Sequence, residues 1–290
     1  MNPKVELEWL IHYKCNYRCP YCFFEGFWEE VEKHNHYQPL ERWFEAWRRI
    51  LKRYEYVRIL ITGGEPFIYP SFVELVKGLS KYFSIGFDTN LSCTKEELVD
   101  FVKNTIAENI SLGLSFHPQF ANYELFLEKA LFLKESGFRV CVQYVSYPPQ
   151  MGTMKYYKDK FEEEGFYVIP LPFRGKYNGL DYPGAFTTQE RRLIFNTTGN
   201  LAMEHKERVE KQLNQLNVKN RLCKAGSTYA RIDNDGIVYR CGHSVSDPLN
   251  APIGNLFDEN FKLLETALPC QQDSCPCEFR WLVEDACDKK

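Results

Sequence analysis

The sequence lacks the features of a secreted, membrane-bound or strongly charged protein. Its first residues, Met-Asn-Pro-Lys-Val-Glu-Leu-Glu, contain charges and no apolar core, so we expect no signal peptide. No stretch approaches the roughly 18 consecutive apolar residues of a membrane-spanning helix. The formal net charge is only -3, which gives no basic field for nucleic acid. We therefore expect a cytoplasmic protein with no nucleic-acid or membrane partner.

The 290 residues contain eleven cysteines, an odd number that a fully paired disulfide framework would not accommodate. In a reducing cytosol, cysteines at this density indicate metal binding or catalysis. Three of them, Cys15, Cys19 and Cys22, have the spacing Cys-x3-Cys-x2-Cys. Iron–sulfur clusters are held by such thiolates. A four-iron cluster held by three cysteines keeps one iron open for a substrate or cofactor.

A zinc site is the alternative for these three cysteines. Structural zinc normally has four ligands, and His12, His34 or His36 would supply the fourth. Three unrelated structural thiols are a further alternative. We favour the iron–sulfur interpretation because of the residues that follow in the chain.

A glycine-rich turn, Thr62-Gly-Gly-Glu-Pro66, follows the predicted strand Val57–Ile61. Two glycines let the backbone pass close to a ligand, and exposed amide and carbonyl groups there can bind the polar end of an amino acid. A Gly-Gly turn after a strand is common by itself. Its position downstream of the three cysteines makes it informative.

The cysteine spacing, the aromatic Tyr21 before the last cysteine, and the glycine-rich turn together resemble the signature of the radical S-adenosylmethionine (SAM) superfamily. The resemblance implies a [4Fe-4S] cluster on the three cysteines, with SAM chelating the open iron. One electron from the cluster would cleave a carbon–sulfur bond of SAM, and the resulting 5′-deoxyadenosyl radical would remove a hydrogen atom from the substrate. The residues that the resemblance assigns to the amino group of SAM are Gly63, Gly64, Glu65 and Pro66.

Six apolar segments alternate with helical ones over the first two-thirds of the chain. The predicted strands are Val5–Ile11, Val57–Ile61, Ser84–Asp88, Ile110–Phe116, Phe138–Val145 and Phe166–Leu171. The predicted helices between them are Leu40–Tyr54, Ser71–Phe83, Thr94–Val102, Tyr123–Ser136 and Met151–Glu164, with Ser71 as an N-cap and Thr94–Glu97 as a capping box. This alternation predicts an α/β fold. We expect a partial (β/α)6 TIM-like barrel, as in the resembled superfamily, with its site at the carboxyl ends of the strands.

Polar residues end the later strands, where they would face the mouth of the barrel. By resemblance, Thr89, Asn90 and Ser115 are candidate contacts to the methionine part or the ribose of SAM, and Gln143 is a further cofactor-binding candidate. His117 is a candidate catalytic acid, base or hydrogen-bond donor. For each of them, strand-end capping and turn chemistry is the alternative.

From Pro172 onward the pattern changes. Arg174–Tyr182 is expected to be an ordered loop or lid that contacts the substrate, with Arg174 and Lys176 as candidates for binding a carboxylate or phosphate. Helices are predicted over Gln189–Asn196 and Glu204–Asn217. We expect three parts: the barrel over residues 1–185, a linker or helical region over 186–220, and a small cysteine-rich domain over 221–290.

The C-terminal part contains a predicted hairpin, Thr228–Ile232 and Ile237–Arg240, around an Asp-Gly turn. Its cysteines and Gly236 resemble the SPASM/twitch extension of radical SAM enzymes, a small domain with a hairpin and a helix. The resemblance implies one auxiliary [4Fe-4S] cluster, the twitch form. The candidate ligands, five for four positions, are Cys223, Cys241, Cys270, Cys275 and Cys277. A structural zinc ribbon is the alternative.

The expected reaction is oxidation or cross-linking of a peptide or a small, amino sugar-like substrate, with the auxiliary cluster accepting an electron. The alternative is an epimerase in which a thiol donates hydrogen. Cys141 on the fifth predicted strand is the catalytic candidate, with a buried structural thiol as the alternative, and Cys93, Cys287 and the unused cysteine of the last group are other candidates. A flavodoxin or ferredoxin is expected as the electron donor. A zinc-stabilised interaction protein without enzyme activity is the alternative of another class.

Overall fold

The computed structural model describes residues 5–199, 203–214, 217–242, 251–273 and 275. The strands are β1 (Val5–His12), β2 (Val57–Gly63), β3 (Ser84–Thr89), β4 (Ile110–Ser115), β5 (Arg139–Ser146), β6 (Val168–Pro172), β7 (Gly175–Tyr177), β8 (Leu180–Tyr182), β9 (Leu222–Cys223), β10 (Tyr229–Ile232), β11 (Ile237–Tyr239), β12 (Pro252–Asn255) and β13 (Leu268–Pro269). The helices are α1 (Trp28–Glu32), α2 (Leu40–Arg53), α3 (Phe72–Leu79), α4 (Lys95–Asn104), α5 (Tyr123–Glu135), α6 (Met151–Glu163), α7 (Thr188–Thr197) and α8 (Met203–Leu213). None of the described helices has the length and apolar character to cross a membrane.

Strands β1 to β6 lie side by side in chain order, and all five pairings between them are parallel. Helices α2 to α6 connect them, as the alternation of segments predicts. The largely parallel sheet confirms the α/β fold class and is consistent with the partial barrel. Parallel strands place all their carboxyl ends at one edge, where the connecting loops build the site.

Strand β1 shows how the sheet separates its two faces. Leu7 and Trp9 are fully buried, and the Trp9 ring packs on Trp43 and Trp47 of α2 at centroid distances of 4.4 and 5.5 Å. Alternate residues such as Glu8 point to the other face and line the interior cavity. Since side chains alternate along a strand, one face carries the apolar core and the other a polar lumen.

The helix starts were predicted with mixed success. Thr94 forms the predicted capping box with Glu97, accepting from its backbone N–H while the Glu97 carboxylate accepts from Thr94 N–H. Ser71 also precedes its helix, but its φ is 57° and its side chain makes no capping hydrogen bond. Ser71 is thus the N-cap residue, as predicted, but its side chain does not cap the helix.

The hairpin of β10 and β11 is confirmed and joins the central sheet. β10 pairs in parallel with β1, with Leu7 opposite Ala230, and β11 and β12 continue the sheet antiparallel. The hairpin thereby covers the edge that β1 would otherwise expose. The described residues beyond 217 contain strands and turns but no helix. The division at residues 185 and 220 stays a prediction.

The segment predicted as the loop Arg174–Tyr182 contains a small hairpin, since β7 and β8 pair antiparallel. Asn178 and Gly179 form its turn with φ values of 48° and 76°. Positive φ at both central residues is the geometry that Asn-Gly favours in tight hairpins. The Asn-Gly dipeptide was therefore an available signal for this hairpin.

Candidate active site

A cavity of about 2090 Å³ occupies the interior of the sheet and is lined by residues near both ends of the strands, such as Arg58 near the start of β2 and Gly63 at its end. Most of the predicted site residues of the barrel line it: Cys15, Cys19, Cys22, Gly63, Gly64, Glu65, Thr89, Asn90, Ser115, His117, Cys141 and Gln143. Pro66 is buried in a short 3-10 turn and is not among the lining residues. Residues of β2 to β5 and of the loop after β1 thus meet in one space.

The cysteine loop follows β1 and holds its sulfurs next to N–H donors. The Tyr17 backbone N–H donates to Cys15 Sγ at 3.4 Å, and Asn90 Nδ2 lies 3.9 Å from the same sulfur. Burial raises the pKa of Cys19 to about 12 and that of Cys22 to about 11, and the Cys22 and Cys15 thiolates raise the pKa of Cys19 further. Thiolates in this loop therefore need nearby positive charge, which iron supplies.

Within the described part of the chain, no three His, Cys, Asp or Glu side chains converge to hold a single metal ion. A four-iron cluster binds each thiolate to a different iron, so its ligands surround a volume rather than a point. The mutual effect of Cys15, Cys19 and Cys22 on the thiol pKa values places them as neighbours at one cavity wall. The donor set fits a cluster held by three cysteines.

Gly63 and Gly64 lie directly against the backbone that leads into the cysteine loop. Gly64 N–H donates to His12 O at 2.8 Å, and Glu65 N–H donates to Lys14 O at 3.0 Å. A Cβ at Gly64 would lie 1.9 Å from Lys14 O, and one at Gly63 2.2 Å from His12 O. The two glycines are therefore required by close packing against the loop as well as by their exposure to the cavity.

The carboxylate of Glu65 is only 2 % exposed and ties β2 to β3. It accepts from Thr89 Oγ1 at 2.7 Å, from Asn90 N–H at 2.8 Å and from Phe67 N–H at 3.3 Å. Burial raises its pKa to about 7, against the opposing effect of these donors. The side chain of Glu65 and the hydroxyl of Thr89 thus hold the scaffold, and the backbone around Gly64 is left as the surface toward a ligand.

Asn90 connects this scaffold to the cysteine loop. Its Nδ2 donates to Asn16 Oδ1 at 3.1 Å, and its Oδ1 accepts from Ser92 N–H at 2.9 Å. His12 is buried on the other side of the same segment and donates its Nε2–H to Glu65 O at 2.9 Å. Burial lowers the pKa of His12 to about 4, so the ring is neutral. Both residues help to set the position of the loop.

His117 lies beside the cysteine loop rather than alone at the end of β4. Tyr21 Oη and His117 Nδ1 share a hydrogen bond of 2.9 Å, and the Tyr17 ring meets the imidazole edge-on at 5.9 Å. Burial lowers the pKa of His117 to about 4. The imidazole is therefore neutral near neutral pH, with one ring nitrogen as donor and the other as acceptor.

Asp88, one of the polar residues at the end of the third predicted strand, contributes to the cavity wall. It is exposed to the cavity between buried Phe87 and Thr89. Gln143 Nε2 donates to Asp88 Oδ1 at 2.8 Å, and Ser115 Oγ donates to Gln143 Oε1 at 3.2 Å. The three side chains come from β3, β4 and β5, three adjacent strands.

Gly113 of β4 makes this bridge possible. A Cβ there would lie 2.0 Å from Asp88 Oδ1 and 2.3 Å from Gln143 Nε2. The carboxylate only accepts hydrogen bonds, so it must face the amide nitrogen of Gln143, which fixes the orientation of that amide. A signal was present in the sequence, since Asp88 and Gly113 sit at lumen-facing positions of neighbouring strands.

The second cysteine group is brought together by β9 and β13, which pair with Leu268 opposite Cys223. Cys223 packs with Cys241 and Cys270, and negative charge on Cys270 and Cys275 raises the pKa of Cys223 after the larger effect of burial. Four of the predicted ligands therefore lie in one neighbourhood. Cys277 and Cys287 lie outside the described residues.

This second group lies toward the other end of the strands. Cys223 precedes β10, which runs parallel to β1, and Cys241 follows the antiparallel β11. Glu6 N–H, near the start of β1, donates to Thr228 O at 2.9 Å. Gly242 lines the cavity that the Cys15–Cys22 loop also lines. The cavity thus extends from the first cysteine loop to the residue after Cys241.

Comparison with known proteins agrees with this geometry. Residues 9–151, nearly half of the chain, match the Radical SAM superfamily. SuiB of Streptococcus suis has a similar fold, with a TM-score of 0.60, 15% identity and coverage of 88% of this chain but 64% of SuiB. This chain thus spans less than two thirds of the length of SuiB. Curated protein sequences gave no significant match.

Two structures of anSMEcpe are also similar. The polyhistidine-tagged protein with bound AdoMet has a TM-score of 0.64 and 17% identity over 88% of this chain and 75% of that one. Native anSMEcpe with AdoMet and the Cp18Cys peptide has a TM-score of 0.63 and 17% identity over 88% and 78%. Residues 9–151 therefore match the Radical SAM superfamily, whose members are enzymes that use a [4Fe-4S] cluster and SAM.

Proposed function

We propose that this protein uses SAM to abstract a hydrogen atom from a peptide or a small, amino sugar-like substrate and then oxidises or cross-links it. The observation that carries the proposal is that the Cys15–Cys22 loop and the Gly63–Glu65 backbone line the same cavity at the carboxyl edge of the sheet. When bound, the first cluster would supply the electron that cleaves SAM, and an auxiliary cluster would accept an electron from the substrate.

The residues of the chain have distinct tasks in this proposal. Cys15, Cys19 and Cys22 hold the first cluster, and the backbone at Gly63 and Gly64 binds the amino group of SAM. Ser115 and Gln143 are further cofactor contacts on the same cavity wall. These positions line one cavity, which supports the assignment.

The cavity wall opposite the loop would bind the substrate. Asp88 presents a carboxylate there, held by Gln143, so the wall favours a substrate group that donates hydrogen bonds. Arg174, which lines the cavity beside the β7–β8 hairpin, would contact a carboxylate or phosphate. A peptide is supported by the similar fold of anSMEcpe, whose structure was determined with a bound peptide.

We place an auxiliary [4Fe-4S] cluster on Cys223, Cys241, Cys270 and Cys275. Their neighbourhood supports it, and so does the cavity that reaches Gly242 beside Cys241. A zinc ribbon at the same cysteines is the competing assignment.

Epimerisation is the second candidate reaction, and the position of Cys141 favours it. Its thiol lies on β5 at the cavity wall, with Sγ 3.8 Å from Leu112 O. A thiol there would return a hydrogen atom to the substrate radical. A flavodoxin or ferredoxin as electron donor and a cytoplasmic location complete the proposal.

Anaerobic reconstitution with iron and sulfide, followed by SAM and dithionite, tests the proposal. We expect brown protein that releases 5′-deoxyadenosine. Peptides encoded by neighbouring genes and amino sugars are then supplied in D2O, and the products are analysed by mass spectrometry. Mass loss indicates oxidation or cross-linking, and gain of one deuterium indicates epimerisation. Colourless, zinc-loaded protein that releases no 5′-deoxyadenosine would contradict the proposal.

A further inference from the structure

One arginine joins the two segments that carry the second group of cysteines. Arg240 Nε donates to Ala225 O at 2.9 Å and Nη2 donates to Cys223 O at 3.3 Å. On the opposite segment, Nη1 donates to Pro269 O at 2.9 Å and Nη2 also donates to Leu268 O. The guanidinium therefore donates to four carbonyl oxygens, two from each segment.

These four carbonyls belong to or adjoin the cysteine positions. Cys223 supplies one of them, Pro269 immediately precedes Cys270, and Arg240 itself immediately precedes Cys241. Arg240 is thus hydrogen-bonded to the backbone at Cys223 and next to Cys270, and it is joined to Cys241 by a peptide bond. Backbone hydrogen bonds also join the segments, from Cys270 N–H to Arg221 O and from Asn220 N–H to Cys270 O at 2.8 Å each, but β9 and β13 themselves are only two residues long.

The stem of Arg240 has a matching space. Gly226 adopts a φ of +94°, and a Cβ there would lie 3.0 Å from Arg240 Cγ and 2.6 Å from Leu264 Cδ1. The chain turns at Gly226, where its N–H donates to Tyr229 O and its O accepts from Leu264 N–H at 2.8 Å. The aliphatic part of Arg240 consequently lies against backbone that a larger residue would push away.

We propose that Arg240 is the positioning residue of the auxiliary site: it holds the Cys223 and Cys270 segments together and places a positive charge beside their thiolates. This inference rests on the proposed auxiliary cluster. Four thiolates give a four-iron cluster a net negative charge, and nearby charge and hydrogen bonds set its reduction potential. Arg240 therefore acts on both the assembly of the site and its potential.

Arginine suits both tasks in a way that lysine does not. Its planar guanidinium has five N–H donors in a fixed fork, four of which are used here, whereas an ammonium group donates from one point. The substitution Arg240→Lys keeps the charge and removes the fork. Arg240→Met removes both. The exposed Lys224, next to Cys223, offers a control in which a neighbouring charge is removed but no carbonyl is released.

The test uses a full-length background in which Cys15, Cys19 and Cys22 are alanine, so that only the second group can bind a cluster. After anaerobic reconstitution, iron content, electron paramagnetic resonance and the midpoint potential are measured. We expect about four iron atoms in the background and in Lys224→Met. Arg240→Lys and Arg240→Met should retain at most about a third of that iron, since the fork is lost in both. The cluster that does assemble should have a lower potential in Arg240→Met than in Arg240→Lys.

Near-UV circular dichroism of the apoproteins separates loss of the site from loss of the fold. Variants that keep the spectrum of the background yet lose iron support the inference. If the background holds about four iron atoms and both Arg240 variants hold as much at an unchanged potential, the inference is overturned while the auxiliary cluster stands. If the background holds zinc or no metal, the auxiliary cluster is refuted and the inference falls with it.

Discussion

The two cysteine groups are held in position by different kinds of contact. At Cys15–Cys22, the loop is held by backbone pairing with Gly63–Glu65, and the pairing depends on the absence of side chains at two glycines. At Cys223–Cys275, one long side chain, Arg240, donates to four carbonyls, and backbone hydrogen bonds such as Cys270 N–H to Arg221 O join the same segments. The first group is attached to a strand of the central sheet and the second to short β9 and β13.

The two kinds of contact predict which substitutions would disrupt each cysteine group. The parallel sheet supports the Cys15–Cys22 loop, because β1 and β2 end next to it. At the second group, one substitution of Arg240 removes four hydrogen bonds together, and only the backbone hydrogen bonds and the short β9–β13 pairing are left to join the segments. We therefore expect steric changes to damage the first site and loss of a donor to damage the second.

The largest effect is expected from replacing Cys15, Cys19 and Cys22 together by alanine. Formation of 5′-deoxyadenosine should be abolished, while about four iron atoms remain at the second group. Iron analysis and chromatography of SAM products measure the two results. Cys93→Ala, at a buried cysteine, is the control and should keep both. Residual 5′-deoxyadenosine in the triple variant would show that the first group is not the site of SAM cleavage.

A steric change at Gly64 should have the next largest effect. Gly64→Ala places a Cβ where only 1.9 Å separates it from Lys14 O, so the cysteine loop must move. We expect a loss of about 1–3 kcal/mol in unfolding free energy, together with less 5′-deoxyadenosine. Urea unfolding of the apoprotein and product analysis check this.

Gly152→Ala is the matched control for Gly64→Ala, because nothing lies within 4 Å of a Cβ at that position in α6. A glycine-to-alanine change in a helix adds up to about 1 kcal/mol. Equal stabilities of the two variants would show that the close contact at Gly64 relaxes freely.

Titration of Glu65 should produce a pH-dependent stability. Its pKa is raised from 4.5 to about 7 by burial, so between these pH values the folded protein keeps a proton that the unfolded chain loses. The unfolding free energy should therefore fall as pH rises through this window, by about 3 kcal/mol. Glu65→Gln should flatten the profile, and Glu96→Gln on the exposed face of α4 should not. Urea unfolding of the apoprotein at several pH values measures the slope, and an unchanged slope in Glu65→Gln would contradict the assignment.

The smallest structural effect is expected at Cys141, where the thiol lines the cavity. Cys141→Ser should leave 5′-deoxyadenosine formation and stability within about 1 kcal/mol of the parent. In an epimerase it should stop deuterium incorporation from D2O into the product. Cys93→Ser, whose buried thiol has a pKa raised to about 12, should not stop it. Incorporation that persists in Cys141→Ser would exclude this thiol as the donor.

Local patterns predicted much of the barrel. The six strands and the capping box at Thr94 follow from short apolar runs and a four-residue motif, so each needs only neighbouring residues. The side chain of Ser71 makes no capping hydrogen bond, and the backbone of this residue is left-handed. The hairpin at Asn178–Gly179 was missed although its dipeptide signal is local.

Contacts between residues far apart in the chain could not be predicted from the sequence. The pairing of β10 with β1 joins residues more than two hundred positions apart. The Asp88–Gln143 bridge depends on which residue of β4 lies between them. The acceptors of Arg240 are backbone carbonyls, which every residue carries, so no side-chain pattern marks them. Each of these contacts requires the strand register.

Two short motifs in the sequence predicted the chemistry of the candidate site. They are the thiols of Cys15, Cys19 and Cys22 and the glycine pair Gly63 and Gly64, and each motif consists of residues that are close together in the chain. The contacts around those motifs follow from the tertiary structure. In it, Gly64 packs against the Lys14 carbonyl, Asp88 lies at the cavity wall, and Arg240 donates hydrogen bonds to the segments of the second cysteine group. The physical reason is that hydrogen bonds and close contacts depend on distance in space, which the parallel register of the sheet sets.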